Sequence, residues 1–257
     1  MKKSYFFYFT LVFLYLYVPI AVLIINAINL NRYGFKWDGF TLKWFVVMSQ
    51  NAALMEAAGN SLVVAISSAT LATTLGTIGA IAIYLYRFKG RLVLTGTLIA
   101  MMMVPDIILA IALLILFLVL GFSLGFWSLL LAHTTFCLPF AIVTVWSRLQ
   151  NFDPFLLDAA KDLGASEKHV LCKIVLPLIN PAIIASWLLC FTLSLDDVIV
   201  SSFVTGPSFD ILPLKIFSMV KVGVKPEVNA MATIMVLVSL ILVVVSQYLL
   251  KEKHKNV

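Results

Sequence analysis

The chain has 257 residues, 62% of them hydrophobic and only 12% charged, with a mean hydropathy of +1.07. A soluble domain is nearer half apolar and a quarter charged, so this balance excludes an ordinary water-soluble enzyme. The net charge of +6 is spread through loops between apolar runs, without aromatic interleaving, which fits membrane topology and not nucleic-acid binding.

A membrane helix needs about 20 apolar residues. The hydropathy pattern predicts an all-α, polytopic membrane protein with six spans, at 5–29, 60–86, 92–121, 126–146, 179–203 and 229–250. Residues 1–257 are expected to form a single transmembrane domain. Span 1 follows Lys2 and Lys3 and is too long for the apolar region of a signal peptide, so it reads as a retained span. Its Pro19 is tolerable, because helix-breaking residues are common in membrane spans.

Span 2 repeats small residues every fourth position, at Ala72, Gly76 and Ala80. This spacing lets two backbones approach closely and reads as a packing face. Span 3 is overlong and is interrupted by Val104-Pro105-Asp106, where Pro105 should kink it. Span 4 holds His133, expected as a hydrogen-bonded core residue. Cys137, Cys172 and Cys190 have no metal-ligand spacing and read as small core residues. No metal or cofactor site is expected.

Basic residues divide unevenly between the two sides of the predicted spans. Lys2, Lys3, Arg87, Lys89, Arg91, Arg148, Lys161, Lys168, Lys173, Lys251, Lys253 and Lys255 fall on one side; Arg32, Lys36, Lys43, Lys215, Lys221 and Lys225 fall on the other. The positive-inside rule then puts both termini in the cytoplasm.

The loop 147–178 is the one sizeable cytoplasmic loop and reads as two short helices. Asp153 suits an N-cap and Pro154 the first helical position. Phe155, Leu156, Ala159, Ala160 and Leu163 share a face, and Gly164 suits a left-handed stop. Ser166 can cap a second helix with Val170, Leu171, Ile174 and Val175 as its apolar stripe, and Pro177 should end it before span 5. Such a pair could lie on the bilayer surface or dock as a knob into a cytoplasmic partner.

Asp158-Ala159-Ala160, three residues, Gly164, nine residues, then Ile174-Val175-Leu176-Pro177 resembles the EAA loop of bacterial ABC-importer permeases. The family pattern is Glu-Ala-Ala, x3, Gly, x9, Ile-x-Leu-Pro; Asp158 stands where Glu is usual. Phe136-Cys137-Leu138-Pro139-Phe140, Leu193-Ser194-Leu195-Asp196-Asp197-Val198 and Ser201-Ser202-Phe203-Val204-Thr205-Gly206-Pro207-Ser208 resemble the permeases of polyamine importers within that family. The resemblance covers essentially the whole chain. It implies a type I ABC-importer fold and a transport subunit for spermidine and putrescine in the inner membrane. It also implies a second, related permease, two copies of a separate ATPase and a periplasmic receptor as partners. Consistent with a separate ATPase, the chain has no G-x-x-x-x-G-K-[ST] phosphate loop.

Three carboxylates fall inside predicted spans: Asp106, Asp196 and Asp197. Each costs on the order of 2.5–3.5 kcal/mol there, which makes it a functional candidate. Straight spans would put Asp106 and Asp197 at a shared depth of about 21–24 Å above the cytoplasmic edge. Carboxylates at one depth can offset the lost hydration of a cation. On one continuous helix, Ser186, Cys190, Ser194, Asp197 and Ser201 form a polar stripe, which makes Asp197 pore-lining and turns Asp196 sideways. Bland readings stand beside these: Asp106 as a cap, Asp196 as a partner to a neighbouring helix, the stripe as packing. Trp187 and Phe191 could offer faces to a polyamine, although aromatics in spans usually pack.

Three rival functions remain at this level, of which an interaction-only membrane scaffold would not explain three intramembrane carboxylates. A stand-alone secondary cation transporter would use the Asp residues as a proton relay and should show paired broken helices. An intramembrane hydrolase would need a Ser paired with His133, and no G-x-S-x-G elbow is present.

Overall fold

The computed structural model describes residues 2–34, 36–151, 154–223 and 225–255, with side chains for 8–34, 36–151, 155–223 and 225–241. Asp153, the expected N-cap, lies outside the described residues. The described chain is helical: α1 (Lys2–Ala27), α2 (Lys43–Gln50), α3 (Ala52–Leu85), α4 (Arg91–Met103), α5 (Asp106–Val119), α6 (Phe126–Gln150), α7 (Pro154–Asp162), α8 (Glu167–Val170), α9 (Leu176–Asp196), α10 (Ile199–Val204), α11 (Leu212–Val222) and α12 (Pro226–Lys255).

Among the described residues, four stretches are long and apolar enough to cross a membrane: Tyr8–Ala27, α3, α6 and Glu167–Asp196. The pair α4 and α5 qualifies as one further span but bends by 112° at its break. In α12 the stretch Pro226–Ile241 is a shorter apolar helix.

Three features differ from the sequence reading. Pro105 does more than kink span 3. Val104 is extended (ψ 130°), as a residue before proline prefers, and the helix stops and restarts. Span 5 starts earlier and stops earlier than expected, running as one helix from Glu167 to Asp196. The loops 30–59 and 204–228 carry the helices α2 and α11.

Pro177 does not end the second loop helix. It cannot donate to the carbonyl four residues back, and its ring crowds that carbonyl. The backbone answers with a π-helical turn over Leu171–Val175, where the N–H of Leu176 reaches back five residues to the Leu171 carbonyl. The helix therefore passes through the proline instead of stopping at it.

Residues 1–58 and 215–257 form one compact unit, and 59–214 a second. In the first, α12 packs on α1 and α2, and the Asn51 amide donates to the Glu227 carboxylate at 3.3 Å. The buried Asn29 side chain organises the turn after α1: it accepts from the N–H groups of Asn31 and Asp38 and donates to the Lys36 carbonyl.

The second unit contains every candidate site residue. Within it α6 packs along α9, and α3 approaches α6 closely at Gly76. Ala72, Gly76 and Ala80 are buried, and a Cβ on Gly76 would stand 2.6 Å from the Cβ of Ala141. The small-residue spacing is thus a packing face within this chain. One apolar core joins Ala80, Ile83, Ile142, Val145 and Leu149 to Ala160, Val170 and Val175 of the loop helices. Farther along α3 and α6, a second core joins Val64, Leu129 and Ala132 to Ala110, Leu113 and Phe117 of α5 and to Val200 and Val204 of α10.

Candidate functional site

The loop motif folds into a knob with two different faces. On α7, Phe155, Leu156, Asp158 and Ala159 are exposed, as is Leu163 just after it, while Ala160 is buried and Leu157 half-buried. The expected single apolar face is therefore split: Ala160 holds the knob to its own unit, and Phe155 and Leu163 (75% and 89% exposed) point away from it. Gly164 adopts φ +81°. Its N–H donates to the Lys161 carbonyl at 2.8 Å, and that of Ala165 to the Ala160 carbonyl at 3.0 Å. This is the paired bonding of a left-handed helix stop. The Ser166 hydroxyl then accepts from the N–H of His169, capping α8. Ile174 and Leu176 are half-buried beneath the knob, and Pro177 is exposed on the outer side of the helix. Cys172 is exposed, unlike the buried Cys137 and Cys190, so it is not the core residue expected.

At the other end of the helix, α9 stops at Asp196 and Asp197 is extended (ψ 126°). A wheel drawn on one continuous helix therefore fails beyond residue 196. The Asp197 carboxylate turns inward onto α10: Oδ1 accepts from the Val200 N–H at 3.2 Å, and Oδ2 from the Ser201 N–H at 2.7 Å and the Ser201 hydroxyl at 2.8 Å. Its side chain is 9% exposed. Asp196 is exposed. This reverses the orientation expected from the helical wheel.

The other members of the stripe are packing. Ser186, Cys190, Ser194 and Ser201 are all buried inside this chain. Cys190 and Cys137 face each other's carbonyls at the α6–α9 crossing. Trp187 stacks on the buried Phe191 with centroids 5.4 Å apart and donates to the Thr70 hydroxyl, so this pair also packs.

His133 is fully buried, as expected of a core residue, and its partners link several helices. Nδ1 lies 2.6 Å from the Ser194 hydroxyl and Nε2 2.9 Å from that of Ser201. Ser68 of α3 donates to Ser194 at 3.0 Å. The Asp197 Oδ2 is 3.7 Å from Nε2. Spacing in the sequence gives no sign of this network. These Ser, His and Asp side chains resemble the parts of a hydrolase, but the hydroxyls are buried in the interior and bonded to His133, to Asp197, to one another and, from Ser68, to the Ala65 carbonyl.

Asp106 opens α5 and is exposed, with no ion-pair partner among the described residues. Its position in the first turn is favoured by the helix dipole. Pro105, not Asp106, occupies the cap position. Helices α5 and α10 pack on one another; α5 begins with Asp106 and α10 follows the break at Asp197. The structure thus presents two exposed carboxylates, Asp106 and Asp196, at breaks in otherwise apolar helices. The third, Asp197, is engaged by the first turn of α10.

Known proteins agree with this architecture. The chain is 56% identical to the spermidine/putrescine transport system permease protein PotC of Escherichia coli K12, over 97% of this chain and 94% of that protein. It is 38% identical to the putrescine transport system permease protein PotI of the same organism, over 95% and 89%. Among solved structures, a bacterial ABC transporter involved in alginate import superposes with a TM-score of 0.78 at 16% identity, covering 96% of this chain and 95% of that one. The inward-facing MetNI methionine transporter gives 0.68 at 16% identity, covering 77% and 95%. Both share the fold of ABC-importer permeases. Residues 72–255 match the family described as the binding-protein-dependent transport system inner membrane component. The chain belongs to that family: it is a multi-pass membrane transport subunit, not an enzyme.

Proposed function

We propose that this chain is one of two permease subunits of an ATP-driven importer carrying spermidine and putrescine across the bacterial inner membrane. The observation that carries the reading is the 56% identity to a spermidine/putrescine permease over nearly the full length of both chains. The partners are a second, PotB-like permease, two copies of a PotA-like ATPase, and a PotD-like periplasmic receptor that delivers the polyamine. Both termini face the cytoplasm, as the distribution of basic residues favours. A cysteine placed near Lys255 should then react with an impermeant reagent only after the membrane is opened.

The knob of residues 153–177 docks on the ATPase. The exposed Phe155, Leu156, Asp158, Ala159 and Leu163 supply the contact, Gly164 sets the turn, and Ile174, Leu176 and Pro177 join it to the span. The helix from Glu167 to Asp196 has 30 residues, about 45 Å at 1.5 Å per residue. One helix therefore connects the docking knob to the carboxylate at its far end. Movement of the ATPase reaches the pathway through it.

In the pathway Asp106 and Asp196 meet the cation, with Asp197 behind them. A polyamine leaving water loses hydration of its charged amines, which is costly without compensation. Exposed carboxylates at helix breaks offset that loss where the surrounding helices are apolar.

The stand-alone secondary transporter gains one point from the structure, because a second broken helix exists at Asp197. Family membership and the match to importer permeases weigh against it. The test is uptake of labelled spermidine and putrescine by cells lacking this gene and its paralogues. Restoring the gene with its operon partners should restore uptake. No recovery at normal membrane levels of all subunits would refute the polyamine assignment.

A further inference from the structure

The transport reading leaves the buried hydroxyl–imidazole network unused. Its hydrogens can be assigned by counting donors. Ser201 has one hydroxyl proton, which it gives to Asp197. Its oxygen can then only accept from His133, so the ring carries its proton on Nε2. In the neutral ring Nδ1 must accept, and Ser194 supplies that proton. Ser194 in turn accepts from Ser68. The chain runs one way, from Ser68 through Ser194, His133 and Ser201 to Asp197.

This arrangement spans the helix break. Ser194 lies before it, on α9, and Ser201 after it, on α10. His133 comes from a third helix, α6, and bonds both. One ring thus ties together the two segments that the backbone separates at Asp197 and Val198. Asp197 cannot leave this arrangement without releasing the first turn of α10, since both its oxygens are occupied there. Asp196 is the last residue of α9, directly beside the clamped position.

We propose that His133 is a positioning residue for transport: acting through Ser194 and Ser201, it clamps the α9–α10 break and so fixes where the Asp196 carboxylate stands. This rests on the reading that Asp196 meets the translocated cation. Asp197 then serves as the anchor of the clamp, and its neighbour as the carboxylate presented to the amine.

The test uses the complete transporter in membranes, with receptor saturating and subunit levels equalised. Maximal uptake rates of spermidine and putrescine are measured for His133→Leu, His133→Gln, Ser201→Ala, Asp196→Asn and the pair His133→Leu with Asp196→Asn. The ratio of the two rates separates positioning from damage, because a misplaced carboxylate affects a triply charged amine more than a doubly charged one, whereas fewer working transporters lower both equally. His133→Leu should lower spermidine uptake about tenfold, as expected for members of one bonded network, and putrescine less. His133→Gln, which keeps a polar group near Nε2, should recover part of the loss. In the Asp196→Asn background the His133 substitution should add little.

If His133→Leu fails to reach the membrane, Ser201→Ala carries the same expectation with a smaller change of volume. Equal loss of both polyamines, fully additive with Asp196→Asn, would overturn the clamp while leaving the pathway reading intact. An unchanged rate and ratio in Asp196→Asn alone would overturn the pathway reading and the inference together.

Discussion

The single helix from Glu167 to Asp196 meets an obstacle near each end and treats the two differently. Near its start, Pro177 removes a hydrogen bond and crowds the preceding turn. The backbone widens into a π-turn over Leu171–Val175 and continues. At its end there is no proline, yet the helix stops, because Asp197 captures the N–H groups of Val200 and Ser201 and starts a new helix. Proline does break the chain at Val104–Pro105, where the bend is 112°. Continuity at the knob suits transmission of movement. Breaks beside Asp106 and Asp196 leave carboxylates exposed where an unbroken apolar helix would have none. What decides the outcome is the surrounding packing: the π-turn is held by Val170, Val175 and Ala160 in an apolar core, whereas the Asp197 break is held by a polar network.

The largest effect should come from breaking the knob's turn. A Cβ at Gly164 would meet no atom within 4 Å, so space is not the constraint; φ +81° is. That backbone region costs most non-Gly residues about 1–2 kcal/mol and is worst for β-branched side chains. Gly164→Val should abolish ATP-driven uptake while leaving the subunit in the membrane. Gly164→Asn, which tolerates the left-handed conformation, should retain more. The comparison needs uptake rates beside immunoblots of membrane fractions.

At the opposite end of the helix, Asp196→Asn removes charge and keeps shape. Uptake should fall by about tenfold or more, the order expected when a desolvated charge loses its counter-charge. Co-purification with the ATPase should be unchanged, since the knob is untouched. Loss of co-purification would instead make Asp196 a structural residue.

Between the two ends, Gly76→Val probes the scaffold that both regions share. Its side chain would overlap Ala141 and force α3 from α6, at about 1–3 kcal/mol for an overpacked site. Lower thermal stability in detergent should accompany reduced, not abolished, uptake. Pro177→Ala should have the smallest effect. It restores the missing N–H and lets the π-turn tighten, so uptake should drop only a few-fold, within the modest range of about 1 kcal/mol for a backbone change that creates no clash. If Pro177→Ala instead abolishes uptake with normal assembly, the π-turn itself is part of the coupling and not only an accommodation.

The difference between the two ends also explains what the sequence disclosed. The knob was readable because its determinants are local: a fixed spacing, a glycine where φ must be positive, a serine before a helix. The small-residue face of α3 was readable because its four-residue spacing has one structural use. The break at Pro105 was announced by proline, though not its angle. The break at Asp197 was hidden, because Leu195-Asp196-Asp197-Val198 contains neither glycine nor proline. The pattern available was an Asp three residues before the N–H it captures, a capping signal that an apolar context masks. His133 was readable as a core residue, but its bonds to Ser194 and Ser201 join positions 61 and 68 residues away. Only the folded chain brings these together, and with them the reversal of Asp196 and Asp197.

In the proposed function this subunit moves a polycation by coupling to an external ATPase, not to an ion gradient. The direct measurement is uptake of labelled spermidine into spheroplast-derived membrane vesicles carrying the permease pair and ATPase, with receptor supplied on the outer side and ATP sealed inside. Uptake should require ATP and persist when a protonophore collapses the proton gradient. Uptake that ignores ATP and stops with the protonophore would contradict the account and favour a secondary transporter.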